Sequence, residues 1–335
     1  MVTSLPIFLS VLERSEQTFI LAMMEMVVNG VSTRKVENMS YELCGETFSK
    51  STISELGKGL DPTIVSWNNR PLSEVEYPFL IVDALVIKIR EDHRVCSRSV
   101  LLALGVNSQG YREILGLQIG DSESEESWSD FFIWLKGRGL QGVDFVTSDD
   151  HKGLKKAIET QLQGTTWQWC QTHFMKNILD ATPKALQDEI HSRVRGIFEA
   201  ADLSTARFLL NQTLDGYRVK APSAMDVLEN GFDDATAVLE LPKRYRTKLR
   251  TTNSFERVNE EIRRRERVIR IFPNRGSSLR LIGAFLLEYD EKWSGKRYLD
   301  MSDYLVWRQT RGKASCPQEI PSMLPLIREN SRSWS

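Results

Sequence analysis

An α/β fold, built on a mixed sheet that an all-helical segment interrupts, is what the sequence predicts, and three observations predict it. Three strand-like runs follow one another between residues 77 and 119, the first apolar enough to need cover on both faces. A helix, a strand, a second helix and another strand then lead to Cys170. Residues 174–250 read as helical throughout. A small helical region precedes the sheet.

The opening apolar run, Leu5 to Leu12, is short, lacks a basic flank and leads into Glu13-Arg14-Ser15-Glu16, so no secretory signal is expected. Residues 15–70 then read as short helices. One starts near Glu16 and stops at Asn29-Gly30, where glycine supports a left-handed ending. Ser32 caps a second over 33–43, and Ser49 or Ser51 caps a third from Thr52, with Ile53, Leu56 and Leu60 on one side. Three short helices around a tight Gly-Val-Ser turn fit a helix-turn-helix; a small helical packing module fits them as well.

After Pro71 the texture changes. Residues 77–90, YPFLIVDALVIKIR, begin as a continuous apolar run and then alternate. Residues 98–106 and 111–119 are two more strands, joined by Asn107-Ser108-Gln109-Gly110, a hairpin composition. A helix over about 124–137 repeats Trp128, Phe131, Phe132 and Leu135 at helical spacing. A short strand, 142–147, ends in Ser148-Asp149-Asp150-His151, followed by a helix over 153–163 and a strand over 165–170. This element order is that of a ribonuclease-H-like core. The expected division is a helical, DNA-binding region over 1–70, the first part of the core over 71–173 and a helical insertion over 174–250. Final core helices over 251–295 and a C-terminal tail over 296–335 complete it.

The 335 residues are 41% hydrophobic and 27% charged, which suits a soluble globular protein rather than a disordered one. The net charge of −1 conceals an uneven distribution. Between Lys243 and Arg280 stand thirteen Lys or Arg against four Glu; between Asp180 and Glu240, eleven acids stand against six bases. Cys44, Cys96, Cys170 and Cys316 form no CxxC pair, so reduced thiols are expected. No run approaches the ~20 apolar residues that span a bilayer, so no membrane partner and an intracellular place are expected.

Three acids draw attention because phosphodiester cleavage and transfer use hard cations held by carboxylates. Asp83 interrupts an apolar strand, where burial disfavours its charge unless it is paired or bound to metal; pairing with Lys88 or Arg90 on a solvated face is the rival reading. Asp149 stands where a short strand emerges into a helix, although Ser148, Asp149 and Asp150 could each cap that helix, and Asp150 competes for the metal. Asn253-Ser254-Phe255-Glu256 matches a capping box, and Glu260 lies one turn further on. Arg250, Arg257, Arg263, Arg264, Arg265 and Arg267 crowd the same element, which suits phosphate recognition, though some will offset neighbouring Glu residues. Cys170-Gln171-Thr172-His173 is half of a zinc pattern without a companion, so packing or positioning of the site is the better reading. His93 and His151 are isolated. Trp167 and Trp169 are either core residues or a stacking surface for an unpaired base.

The segments YPFLIVDALVIKIRED, VTSDDHKGLKKAI, WQWCQTHFMKNIL and RTTNSFERVNEEIRRRERVIRIFPN occur in this order. Together they resemble the mutator-type bacterial insertion-sequence transposases, over about residues 31 to 293. The resemblance implies a ribonuclease-H-like fold with a helical insertion between the second and third members of an Asp-Asp-Glu triad. Carried over by motif, these are Asp83, Asp149 (the Asp directly after Ser) and Glu256 (of Asn-x-x-Glu-Arg). Cys170, His173 and Asn253 support the site. It further implies Mg²⁺ or Mn²⁺, binding to terminal inverted repeats and target DNA, assembly as a homodimer or higher on DNA, and a cytoplasmic, nucleoid-associated place. The freed 3′-hydroxyl would attack a second phosphodiester without a covalent protein–DNA link.

Two departures stand out. The stretch before Val31-Ser32-Thr33-Arg34 is only thirty residues, shorter than is usual, so part of the end-binding region is expected to be missing. The usual Tyr after Asp-Ala-Leu is Val86. A catalytically silent DNA-binding remnant is therefore the alternative to a working transposase. A junction-resolving nuclease stands further off, having no need of the insertion or the arginine-rich helix.

Overall fold

The computed structural model describes residues 22–23, 25–26, 28–44, 55 and 57–314. Gly30, at φ +82°, ends the first helical segment where Asn29-Gly30 was expected to end it. The backbone N–H of Lys35 donates to Ser32 Oγ at 3.3 Å, a cap for helix α1, Thr33–Cys44. Residues 55, 57 and 58 are helical, within the helix expected from Thr52; its first residues, and the start of the helix from Glu16, lie outside the described residues. A helix not expected, α2 (Asp61–Asn68), starts with a proline in its first turn, a start signal present in the sequence. Arg280 grips Asp61 at its head through two bonds of 2.6 and 2.7 Å.

A five-stranded mixed sheet in the order β3-β2-β1-β4-β5 forms the centre. Its strands are β1 Phe79–Glu91, β2 Arg94–Val106, β3 Arg112–Gly120, β4 Phe145–Ser148 and β5 Thr166–Trp169. β1 pairs antiparallel with β2 and parallel with β4; β3 is antiparallel to β2 and β5 parallel to β4. The first four residues of β1 are all buried, and its second half alternates, matching the change from an apolar run to an alternating one. β2 begins at Arg94, four residues before the expected start. Asp92 and His93, at φ 47° and 63°, make a tight turn of two left-handed residues, which sequence reading passed over because it holds no glycine.

Each face of the sheet has its own cover. Helices α3 (Glu125–Gly137) and α4 (Lys152–Gln161) close one face, with Trp128, Phe131, Phe132, Leu154 and Ile158 against Leu80, Val82 and Val146. A Cβ at Gly153 would stand 2.5 Å from the backbone N of Glu125, so the glycine of the Asp149 motif permits the close approach of α3 and α4. After α5 (Gln171–Asp180), helices α6 (Gln187–Phe198), α7 (Leu203–Tyr217) and α8 (Pro222–Thr236) build a separate apolar cluster with Trp169, Cys170 and Phe174. Trp167 stacks on Trp169 at 6.4 Å and its Nε1 donates to Ser148 Oγ, so both indoles serve packing around the site.

The chain returns through α9 (Lys243–Leu249) to α10 (Asn253–Ile269), α11 (Arg275–Trp293) and α12 (Ser302–Ala314). Phe255, Val258 and Ile262 of α10 bury one stripe in the cluster over the second face, together with Ile81, Leu85 and Ile87. Phe272 then exchanges backbone bonds with Lys88 and Arg90, each 2.8 Å, along the part of β1 that β4 leaves uncovered. No described helix is long and apolar enough to cross a membrane.

Candidate active site

The pairing of β1 with β4 runs Phe79–Phe145, Leu80–Val146, Ile81–Thr147. Continuing that register by two residues sets Asp83 against Asp149, just past the last residue of β4. The third acid arrives through four bonds that fasten residues 249–252 to the ends of β4 and β5. Thr147 Oγ1 donates to the Leu249 carbonyl at 2.6 Å, and the Gln171 N–H donates to that of Arg250 at 2.9 Å. Thr252, through both its N–H and its hydroxyl, donates to Cys170 Sγ at 3.4 Å. The helix that starts there carries Glu256 into the same cavity, of about 680 Å³, that Asp83 and Asp149 line. Asp150 is exposed and does not line it; Glu260 and Glu261 do.

The expected capping box does not form. Thr252, not Asn253, is the residue before the first turn of α10, and no side chain caps it. Glu256 is therefore one position too far along to fold back on the helix start, and its exposed side chain faces cavities instead. Asn253 lines two neighbouring cavities rather than this one, and its Oδ1 accepts from Thr172 at 3.2 Å.

Asp83 Oδ1 accepts from the N–H of Ala84 at 2.8 Å and Oδ2 from Asn259 Nδ2 at 2.6 Å. Burial, and then the charge of Asp149, outweigh those bonds and push its carboxyl up to about 7. His173 Nδ1 lies 2.5 Å from Asp149 Oδ1. That contact, with Cys170 second, raises the imidazole to about 10, so His173 is a cation at neutral pH. Burial raises the Cys170 thiol, but bonding from His173 and Thr252 brings it below its usual range.

Two sets of donors thus share Asp149. Its oxygen, Cys170 Sγ and a nitrogen of His173 lie within 4.8 Å of one another, a mixed set of the kind that suits zinc. The approach of Asp149, however, favours the charged imidazole, so His173 stands there as the cationic neighbour of Asp149. The other set is Asp83, Asp149 and Glu256, with Asn259 Oδ1 buried beside them and free of any hydrogen bond. Hard oxygens around two mutually repelling carboxylates fit a divalent cation such as Mg²⁺ or Mn²⁺.

The six expected arginines part company because each residue turns the helix by about 100°. Arg263, Arg264 and Arg267 line the carboxylate cavity. Arg263 also donates to the Val86 carbonyl and to Glu266, and Arg264 to the Asn29 carbonyl and to Glu261. Arg250 and Arg257 line two further cavities. Arg265 is a correction to the expected DNA side: its side chain is 5% exposed, donates to the Val28 carbonyl at 2.6 Å and to Glu261, and lies 4.1 Å over Phe285. It lies one turn from Ile262, on the inward side, and ties the N-terminal segment to the core. Asn259 was missed, although its spacing of three from Glu256 puts it on the same helical stripe.

A family model described as "Transposase, Mutator family" matches residues 4–296. The transposase for insertion sequence element IS256 in transposon Tn4001 of Staphylococcus aureus is 44% identical over 86% of this chain and 75% of its own length. Transposases of the elements ISRM5 of Rhizobium meliloti and IS1081 of Mycobacterium tuberculosis are 40% and 38% identical, over 87% and 86% of this chain and 73% and 70% of theirs. Among solved structures, the Drosophila P element transposase strand transfer complex aligns over 86% of this chain and 85% of that one, at 10% identity and a TM-score of 0.32, too loose a likeness to argue from. With nearly the whole described fold inside the family match, the chain belongs to the Mutator family of transposases.

Proposed function

We propose that the chain is a DNA strand transferase of the Asp-Asp-Glu type, with Asp83, Asp149 and Glu256 as its metal ligands and a ribonuclease-H-like core as its scaffold. One observation carries the reading: three acids from separate parts of the chain, two in strand register and one delivered by a helix, line a single cavity. Divalent cations held by these carboxylates supply an activated oxygen nucleophile and stabilise the leaving oxygen. The protein's part is positional. Asn259 orients Asp83, and His173 with Cys170 and Thr252 orients Asp149. Arg263, Arg264 and Arg267 on the cavity wall hold the DNA backbone there.

In this reading residues 1–70 serve recognition of the element's inverted repeats, 174–250 are a helical insertion between the second and third acids, and the protein works as a homodimer or larger assembly on paired ends. Nicking of an element end comes first, and the released 3′-hydroxyl then attacks target DNA. Labelled element-end DNA incubated with Mg²⁺ tests it, beside Glu256→Gln. We expect nicking by the wild type and a loss on the order of a thousandfold in the variant. Binding without nicking by the wild type overturns the reading; nicking that survives Glu256→Gln removes Glu256 from the ligand set.

A further inference from the structure

Beyond Glu256, away from Asp83, lies a second cavity of about 760 Å³ whose lining suits a different ligand. Its rings are Tyr289, Trp293 and Tyr298, and its cations are Arg112, Lys248, Arg257, Lys292 and Lys296. Arg112 sits 4.0 Å over Trp293 and 4.7 Å over Tyr298, and Lys248 lies 5.1 Å over Tyr298. Only Lys292 has an acid partner, Glu288; among the described residues the other four cations make no ion pair. Burial, and the approach of Arg257, disfavour the charge of Arg112. Most other arginines near the site are paired: Arg263, Arg264 and Arg265 all reach Glu side chains. Folding thus leaves a cluster of cations beside aromatic rings, with Glu256 the one acid in the lining and no ion pair to it among the described residues.

We infer that this cavity binds a single nucleotide unit whose base is out of the stack, rings and guanidinium taking the base and Lys248, Arg257 and Lys296 the phosphate. A paired duplex keeps its bases stacked inside and cannot present one to a concave pocket; an extruded base can enter, and aromatic and arginine planes accept any base by stacking. The size lies within the roughly 300–1,000 Å³ of small-ligand sites. Glu256 lines both this cavity and that of Asp83 and Asp149, so the bound unit lies beside the phosphate held for cleavage. The inference rests on the proposed strand transferase for its DNA, but its chemistry is equally that of a free mononucleotide.

Binding measured with EDTA present separates the two sources and needs no catalysis. The probes are a short duplex with 2-aminopurine paired to thymine, the same duplex with 2-aminopurine opposite an abasic site, and ATP alone. We expect the full chain to bind the unpaired probe about tenfold more tightly than the paired one, because the unpairing is already done. Lys248→Ala/Lys296→Ala, at two exposed positions, and Tyr298→Ala should each bring that ratio close to one. ATP binding that the double variant abolishes, without a preference between duplexes, assigns the cavity to free nucleotides. Equal affinity for both duplexes with no ATP binding overturns the inference, even where nicking and its loss in Glu256→Gln uphold the strand transferase. If nicking is absent, these binding ratios still decide the cavity by themselves.

Discussion

The carboxylate cavity and the aromatic cavity meet at the first turns of α10, yet they handle charge in opposite ways. On one side Asp83 and Asp149 repel each other while Arg263 and Arg264 are drawn to Glu266 and Glu261, so the acids gain little from them. On the other, Arg112, Lys248, Arg257 and Lys296 stand around the single acid Glu256 and, among the described residues, make no ion pair. A folded chain ordinarily pairs its buried charges, because unpaired ones are costly in a low dielectric. Asp83 beside Asp149 in one hollow and Arg112 beside Arg257 in the other, both partly withdrawn from water, therefore suit two external partners, a cation in the first and an anion in the second. For the proposed strand transferase, a DNA strand with its divalent ions would bring both.

The largest effect expected from breaking this contrast is at Asp83. Its folded carboxyl sits at about 7 against an ordinary 3.8, so the protonated form is the one folding favours. Without divalent cation, its contribution to stability is complete below about pH 4, falls as pH rises, and is gone above about pH 7, a difference of a few kcal/mol at most. Asp83→Asn should remove that decline and leave the metal-free protein more stable than wild type near pH 8, while eliminating nicking. Mg²⁺ should stabilise the wild type at that pH and not the variant, since only the folded wild type gathers the ligands. Urea midpoints across this pH range, with EDTA and with Mg²⁺, measure all three. Identical pH profiles for the two proteins would show that neither burial nor Asp149 raises the Asp83 carboxyl.

A smaller loss is expected from the residue that orders the acid. Asn259→Ala removes the 2.6 Å bond to Asp83 Oδ2 and should lower nicking by about 10–100-fold, the usual range for a residue that orients a metal ligand. The Mg²⁺ concentration giving half-maximal rate should rise with it. Asn259→Asp, which adds a third charge beside Asp83 and donates nothing, should be worse than alanine. A reduced rate with unchanged Mg²⁺ dependence would point to a packing defect instead.

Most of what carries this site was legible in the residues, for identifiable reasons. Asp83 stood out because an ionisable group inside LIVDAL is costly to bury unpaired, though pairing with Lys88 or Arg90 was a rival account until the fold was known. The two-against-one choices, Asp149 with Asp150 and Glu256 with Glu260, were not open to local reasoning, since both members of each pair share a helix start or a helix face. What stayed hidden depended on distant segments. Arg265 reads like its neighbours until Phe285 and the Val28 carbonyl surround it. The aromatic cavity draws on Arg112, Lys248, Arg257 and Trp293, from four elements that only the closed fold brings together.

The smallest effects separate arginines that the sequence writes alike. Arg257→Ala should leave stability within about 0.5 kcal/mol, as for an exposed residue without partners, and weaken DNA binding only a few-fold at low salt. It should also reduce the slope of log affinity against log salt by about one, because one phosphate contact and its displaced counterion are lost. Arg265→Ala should do the reverse. It strips Glu261 of one of its two arginine partners and leaves the Val28 carbonyl unbonded, costing about 1–3 kcal/mol of stability while the salt slope stays as in wild type. Salt titrations and urea unfolding on the pair of variants read both axes. A salt slope that drops with Arg265→Ala would place its guanidinium on DNA after all, and the N-terminal segment it holds would then have to move aside when DNA binds.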